Sequence, residues 1–195
     1  MSPAVRVQRV FAVVALTLAL SSAAFAQTRT APVKIDNFAK VSNTYYRGAQ
    51  PVGHDYADLA ALGVKTIIDL TSEDAQAGEQ ASAEKAGMKY VHIPMDTHRV
   101  PTTAELDKFL SLVNDAANQP VYVHCVGGRH RTGVMTAVYR MNHDGITGAQ
   151  AFNEMKQYKY GADFLHPEFK QFVTSQYKPA TAAAAVNANA QQQQQ

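Results

Sequence analysis

Cys125 is the only cysteine in the chain. One thiol cannot close an internal disulfide, so a disulfide-stapled scaffold is excluded. A surplus of either charge is also missing. The 18 basic side chains include Arg6 and Arg9, which lie in an N-terminal stretch without acidic residues, and removing that stretch leaves 16 basic against 16 acidic side chains. That balance gives no support to nucleic-acid binding through bulk positive charge. Long apolar runs are lacking too. The longest, Val10 to Leu20, falls short of the ~20 residues that span a bilayer. No internal repeat is visible, and the histidines are scattered with no pair at ligand spacing, so neither a metal nor a cofactor is expected.

What is present at the N-terminus reads as a processing signal. Arg6 and Arg9 form a basic region, Val10 to Leu20 the apolar core, and Ala24-Phe25-Ala26 a small-x-small cleavage site. Residues 1–26 are therefore expected to direct export, leaving a periplasmic or secreted protein without stable membrane insertion. Residues 27–32 are a short lead. Residues 179–195 are alanine, asparagine and glutamine with almost no large apolar side chain, and are expected to be a disordered tail.

Residues 33–178 are expected to form one α/β domain, long enough to bury a single core. Val64–Leu70, Lys89–Ile93 and Pro120–His124 read as strands. Tyr56–Leu62, Ala75–Ala86, Thr103–Ala117, Thr132–His143, Thr147–Gln157 and Pro167–Ser175 read as helices. Gly63 and Gly87 stand where helix C-caps belong, just before strands. The alternation implies a central, mostly parallel sheet flanked by helices, with any ligand at the C-terminal strand ends.

The most informative segment is His124-Cys125-Val126-Gly127-Gly128-Arg129-His130-Arg131-Thr132-Gly133. A strand precedes it and a helix follows. Loop N–H groups and a helix N-terminus converge there on one spot and favour an anion. A thiol at such a spot is expected to ionise readily, because its anion is what the site stabilises. Keeping one thiol in an oxidising compartment also suggests a chemical task for it.

The segment resembles the His-Cys-x5-Arg-Ser/Thr signature of the cysteine-dependent protein tyrosine and dual-specificity phosphatases. Tyr46-Arg47-Gly48-Ala49-Gln50-Pro51, Gly63 to Leu70 and Ile93-Pro94-Met95 are similar to the compact, atypical bacterial branch. The resemblance implies a metal-independent phosphomonoesterase acting on phosphotyrosine, phosphoserine/threonine or a phosphorylated small molecule. Cys125 would be the nucleophile, Arg131 the fork that binds two phosphoryl oxygens, and Thr132 the hydroxyl that assists departure of the thiolate. Val126, Gly127, Gly128, Arg129 and His130 would complete the phosphate loop. His124, on the opposite side of the strand from the cysteine, is expected to orient the loop by hydrogen bonds and not to transfer protons.

The general acid is assigned to Asp96, which follows the expected strand and lies 29 residues before Cys125. His98 can be aligned in its place, and a third alternative is that no protein acid acts, which a substrate with a good leaving group would allow. Arg129 and His130 make the loop basic, either for a multiply phosphorylated substrate or with Arg129 in solvent and His130 packed beneath. Arg47 and Asp69 are expected to be structural. Two other functions stay open: a phosphate- or inositol-phosphate-binding module without turnover, and a rhodanese-type sulfurtransferase, whose loops are generally shorter and lack this framing.

Overall fold

The computed structural model describes residues 33–72 and 75–179. The expected leader, the lead segment and the tail beyond Pro179 lie outside the described residues. In chain order the elements are β1 (Ala39–Lys40), β2 (Tyr45–Ala49), α1 (Asp55–Ala61), β3 (Thr66–Asp69), α2 (Glu79–Lys85), β4 (Lys89–His92), α3 (Thr103–Asn114), β5 (Val121–Cys125), α4 (Arg131–His143), α5 (Gly148–Gln157) and α6 (Pro167–Gln171). A π-helical turn over Phe172–Gln176 continues α6.

The strands form one sheet in the order β1-β2-β5-β3-β4. The β1–β2 pair is antiparallel, whereas β2–β5, β5–β3 and β3–β4 are parallel. The sheet is thus mostly parallel, as expected, with β5 at its centre. Its register sets Ala49 beside Cys125 and Asp69 beside His124.

Alternation along β5 sorts its side chains between two cores. Val121, Val123 and Cys125 pack with Tyr45, Ile68, Phe109 and the apolar residues of α4 and α5. Tyr122 points to the other face, where Ile67, Tyr56, Leu59 and Ala83 lie under α1 and α2. Ten of the thirteen residues of α4 are buried, so this helix is a core element and not a surface one. Burying one large apolar side chain contributes about 1.5–3 kcal/mol, and the two faces together fix the position of β5.

Helix ends follow local chemistry. Thr102 with Glu105, and Thr147 with Gln150, form reciprocal capping boxes at the starts of α3 and α5. Gly63 and Gly87 follow α1 and α2 at φ of 83° and 82°, as their capping role requires. Two expected helices are shorter than the sequence pattern suggests. Gly78 at φ 83° delays α2 to Glu79, and an Asx turn in which Asp115 Oδ1 accepts from Ala117 N–H ends α3 at Asn114.

Candidate active site

Residues 126–130 turn from the C-terminal end of β5 into the N-terminus of α4. Three successive carbonyls of this loop are tied from behind. Val126 O accepts from Gln50 N–H at 3.1 Å, Gly127 O from Asn37 Nδ2 at 2.8 Å, and Gly128 O from Arg47 Nη2 at 2.5 Å. In a planar trans peptide the N–H points opposite to the carbonyl. Fixing these carbonyls outward therefore turns the following N–H groups towards the cleft. Among the described residues no side chain caps α4, so its first N–H groups add to the same anion-seeking surface.

Gly128 makes the loop possible. Its φ is +63°, and a Cβ there would lie 2.4 Å from the carbonyl carbon and oxygen of Gly48. Only glycine satisfies both the left-handed backbone and the close approach.

The cleft has a volume of about 330 Å³ and is lined by Thr97, Cys125, Val126, Gly127, Arg129, His130 and Arg131. Cys125 is buried at its base, with 4% of its surface exposed. Arg131 is also buried, and its Nη1 donates to Met95 O at 3.3 Å. The guanidinium is thereby linked to the segment that leads into Asp96. Among the described residues the Thr132 hydroxyl is buried without a hydrogen-bond partner, a costly state that leaves it available to a group arriving in or formed at the site.

Arg129 is exposed and lies 3.9 Å from Asp36, a carboxylate that also pairs with Lys159. His130 packs under the loop: Nε2 meets Tyr160 O at 2.9 Å and its ring lies 3.9 Å from that of His166. Burial, chiefly, with the neighbouring His166, Arg129 and Arg131 charges, depresses its pKa below the usual histidine value despite the Tyr160 bond.

Behind the thiol stands a buried polar cluster. His124 is inaccessible, and its Nε2 meets Glu79 Oε1 at 2.9 Å, a close polar contact that falls short of hydrogen-bond geometry. Its Nδ1 is 3.8 Å from Asp69 Oδ1. Glu79 Oε2 accepts from Gln50 at 2.6 Å, which links this cluster to the segment whose backbone holds Val126. Asp69 accepts from Thr71 N–H, Thr71 Oγ1 and the Tyr90 hydroxyl at 2.8, 2.8 and 2.6 Å. Burial and this acceptor both push the Tyr90 phenol pKa upward, so Tyr90 remains a donor. His124 therefore sits away from the cleft, and among the described residues its ring nitrogens make close polar contacts in place of the expected hydrogen bonds to the loop.

Asp96 is exposed, and its Oδ1 accepts from His98 N–H at 2.6 Å. Thr97, not Asp96, lines the cleft. His98 turns towards Glu168 and His166 at the cleft margin. Arg47 is buried, as a structural role requires, between Gly128 O and the Tyr158 ring 4.1 Å away.

Asn37 and Glu79 were missed in the sequence. Glu79 had a readable sign: it shares a buried helix face with Ala83 four residues on, the i,i+4 spacing of a core stripe. Asn37 had none, because its partner is 90 residues away.

Comparisons with known proteins agree with this geometry. The family described as "DSP-PTPase phosphatase fused to NAD+ Kinase" matches residues 23–193. The chain is 30% identical over 145 residues to dual specificity protein phosphatase TpbA of Pseudomonas aeruginosa PAO1, covering 74% of this chain and 63% of that protein. A crystal structure of P. aeruginosa TpbA in complex with pTyr has 28% identity and a TM-score of 0.61, covering 71% of this chain and 83% of the other. The catalytic core of the PP-IP phosphatase SIW14 from S. cerevisiae has a TM-score of 0.66 at 23% identity, covering 81% and 94%. That last likeness is one of fold. The chain spans 56–63% of the length of its first curated relatives.

Proposed function

We propose, on the premise that the chain belongs to the DSP-PTPase family of cysteine-dependent phosphatases, that it hydrolyses phosphate monoesters through a phosphocysteine at Cys125. The observation that carries this proposal is the placement of Cys125 beneath a loop whose carbonyls at 126, 127 and 128 are all held outward. Such a loop offers N–H groups to three phosphoryl oxygens and leaves the sulfur beneath phosphorus.

In the first step Cys125 Sγ attacks phosphorus as the ester P–O bond breaks. The bond electrons pass to the leaving oxygen, which takes a proton from Asp96 once that carboxyl turns away from His98 N–H. Arg131 holds two equatorial oxygens with its planar fork, a geometry lysine cannot reproduce. In the second step water attacks phosphorus and gives a proton back to Asp96. The S–P bond breaks, and the Thr132 hydroxyl donates to the departing thiolate. His124 stays outside the proton path and holds the end of β5.

The substrate class is a phosphorylated protein, on tyrosine or serine/threonine, or a phosphorylated small molecule. Exposed Arg129 at the cleft, with Lys159 sharing its Asp36 partner, favours an anionic substrate body. A second reading is a phosphate or inositol-phosphate binder without turnover. It is favoured by one observation, the engagement of Asp96 with His98 while Thr97 faces the cleft. The leader pattern at residues 1–26 supports export, with cleavage near Ala26, and N-terminal sequencing of the secreted product checks it.

Acid-quenching the full chain during turnover and mass analysis of the Cys125 peptide tests the function. The expected result is one added phosphoryl group, absent in Cys125→Ser. Turnover that persists in Cys125→Ser would overturn the assignment, whereas ligand binding without turnover would establish the second reading. A panel of phosphopeptides and inositol phosphates then ranks the substrates.

A further inference from the structure

His98 is remote in sequence from His166 and Glu168, which stand two residues apart, yet the fold brings the three together. His166 Nδ1 is 3.3 Å from Glu168 Oε1, and His98 Nδ1 is 3.8 Å from the same oxygen. One donor atom from each of the three residues lies within 4.8 Å of the others. Zinc bonds of about 2.0–2.2 Å in tetrahedral geometry set ligand atoms roughly 3.4 Å apart. Two of the separations thus stand within a few tenths of an ångström of a coordinated set.

The surroundings fix part of the cluster. His166 is largely buried, its ring packed between His130 at 3.9 Å and Phe169 at 5.6 Å. Glu168 lies in the first turn of α6. His98 is 70% exposed and sits on the segment after β4, so it is the ligand free to adjust. His130 is not available as a fourth ligand through Nε2, which meets Tyr160 O. Two imidazoles and one carboxylate with solvent access suit zinc and its neighbours in the first transition row.

We propose that His98, His166 and Glu168 form a binding site for a divalent transition-metal ion of the zinc type at the margin of the phosphate cleft, and that occupancy slows turnover. The site touches the cleft through two neighbours, since Thr97 and His130 both line it. His98 N–H is the donor that holds Asp96 Oδ1. A metal on the His98 ring anchors this segment in the arrangement in which the Asp96 carboxylate is engaged away from a leaving group. The metal takes no part in phosphoryl transfer. Its effect on rate rests on the proposed phosphatase function, whereas its binding does not.

Titration of the full chain with Co²⁺, followed by visible absorption and competition with Zn²⁺, tests the site. The titration uses Cys125→Ser, which removes the one thiolate that could bind these ions. One equivalent of Co²⁺ with imidazole-type spectra is expected. His166→Phe keeps the ring stack, and Glu168→Gln keeps the shape. Each should weaken binding by more than the roughly 10–100-fold lost when a residue that merely supports a ligand is removed. Binding unchanged in both, or none in Cys125→Ser, would overturn the site. Zn²⁺ should inhibit aryl phosphate hydrolysis by the unmodified chain and inhibit His166→Phe far less. Equal inhibition of both would overturn the effect on turnover, because it would place the inhibitory ion on the thiolate. If the chain bound Co²⁺ through these residues but hydrolysed nothing, the phosphatase proposal would fail and the metal site would stand.

Discussion

Replacing Glu79 by alanine removes the carboxylate that faces His124 at 2.9 Å and accepts from Gln50 at 2.6 Å. Glu79 and His124 are 1% and 0% exposed, so water cannot take over either contact without opening the core. Removing the carboxylate leaves the His124 and Gln50 groups that face it unsatisfied, at about 1–3 kcal/mol for each. Against a total stability of about 5–15 kcal/mol, that is a large share. At a urea slope of about 2 kcal/mol/M, the middle of the usual range, the unfolding midpoint should fall by roughly 1–3 M. Glu79→Gln keeps an amide oxygen towards His124 and a partner for Gln50, and should lose only about 1–2 kcal/mol. Urea unfolding followed by circular dichroism measures both. A Glu79→Ala midpoint within about 0.5 M of the unmodified chain would refute the claim that these groups rely on the carboxylate.

Four further outcomes are expected. Asp96→Asn slows aryl phosphate turnover by about 10²–10⁴-fold and flattens the fall in rate at rising pH; an unchanged rate and profile would dismiss Asp96 as the acid. Thr132→Val removes a buried hydroxyl that has no partner among the described residues, so stability holds or rises by about 1 kcal/mol while phosphocysteine accumulates in quenched samples. Gly128→Ala introduces a Cβ 2.4 Å from the Gly48 backbone at a φ of +63°; loop binding of vanadate, read by calorimetry, should be lost. His130 has a pKa held below the ordinary 6.5 mainly by burial. The unfolded chain therefore binds the proton more readily, and stability present above that value is lost as pH falls through it. His130→Gln should lose less stability between pH 7.5 and 5.5 than the unmodified chain, as urea midpoints at the two pH values will show.

The parts of the fold read most directly from sequence were those whose pattern is local. β3, β4 and β5 are short β-branched runs, and alternation alone set His124 on the far face from Cys125. The glycine-rich turn before α4 announced the phosphate loop for the same reason. β2 was not legible as a strand, because Tyr45-Tyr46-Arg47-Gly48-Ala49 is buried throughout without alternation. Arg47 is inside only because Gly128 O and the Tyr158 ring receive it. The Glu79 contacts, the Asn37 contact and the meeting of His98 with His166 all span 29 to 90 residues. No window of sequence contains them. Asp96 marks the boundary between the two cases: its position after β4 was readable, but its engagement with His98 N–H is a feature of the folded turn.

In the proposed mechanism Cys125 and Arg131 perform phosphoryl transfer without a metal. Its most direct test is aryl phosphate hydrolysis by the full chain in EDTA, beside Cys125→Ser and Arg131→Lys. EDTA-resistant, vanadate-sensitive turnover is expected, and it should be lost in both variants. Turnover that survives Cys125→Ser, or that EDTA abolishes, would contradict it.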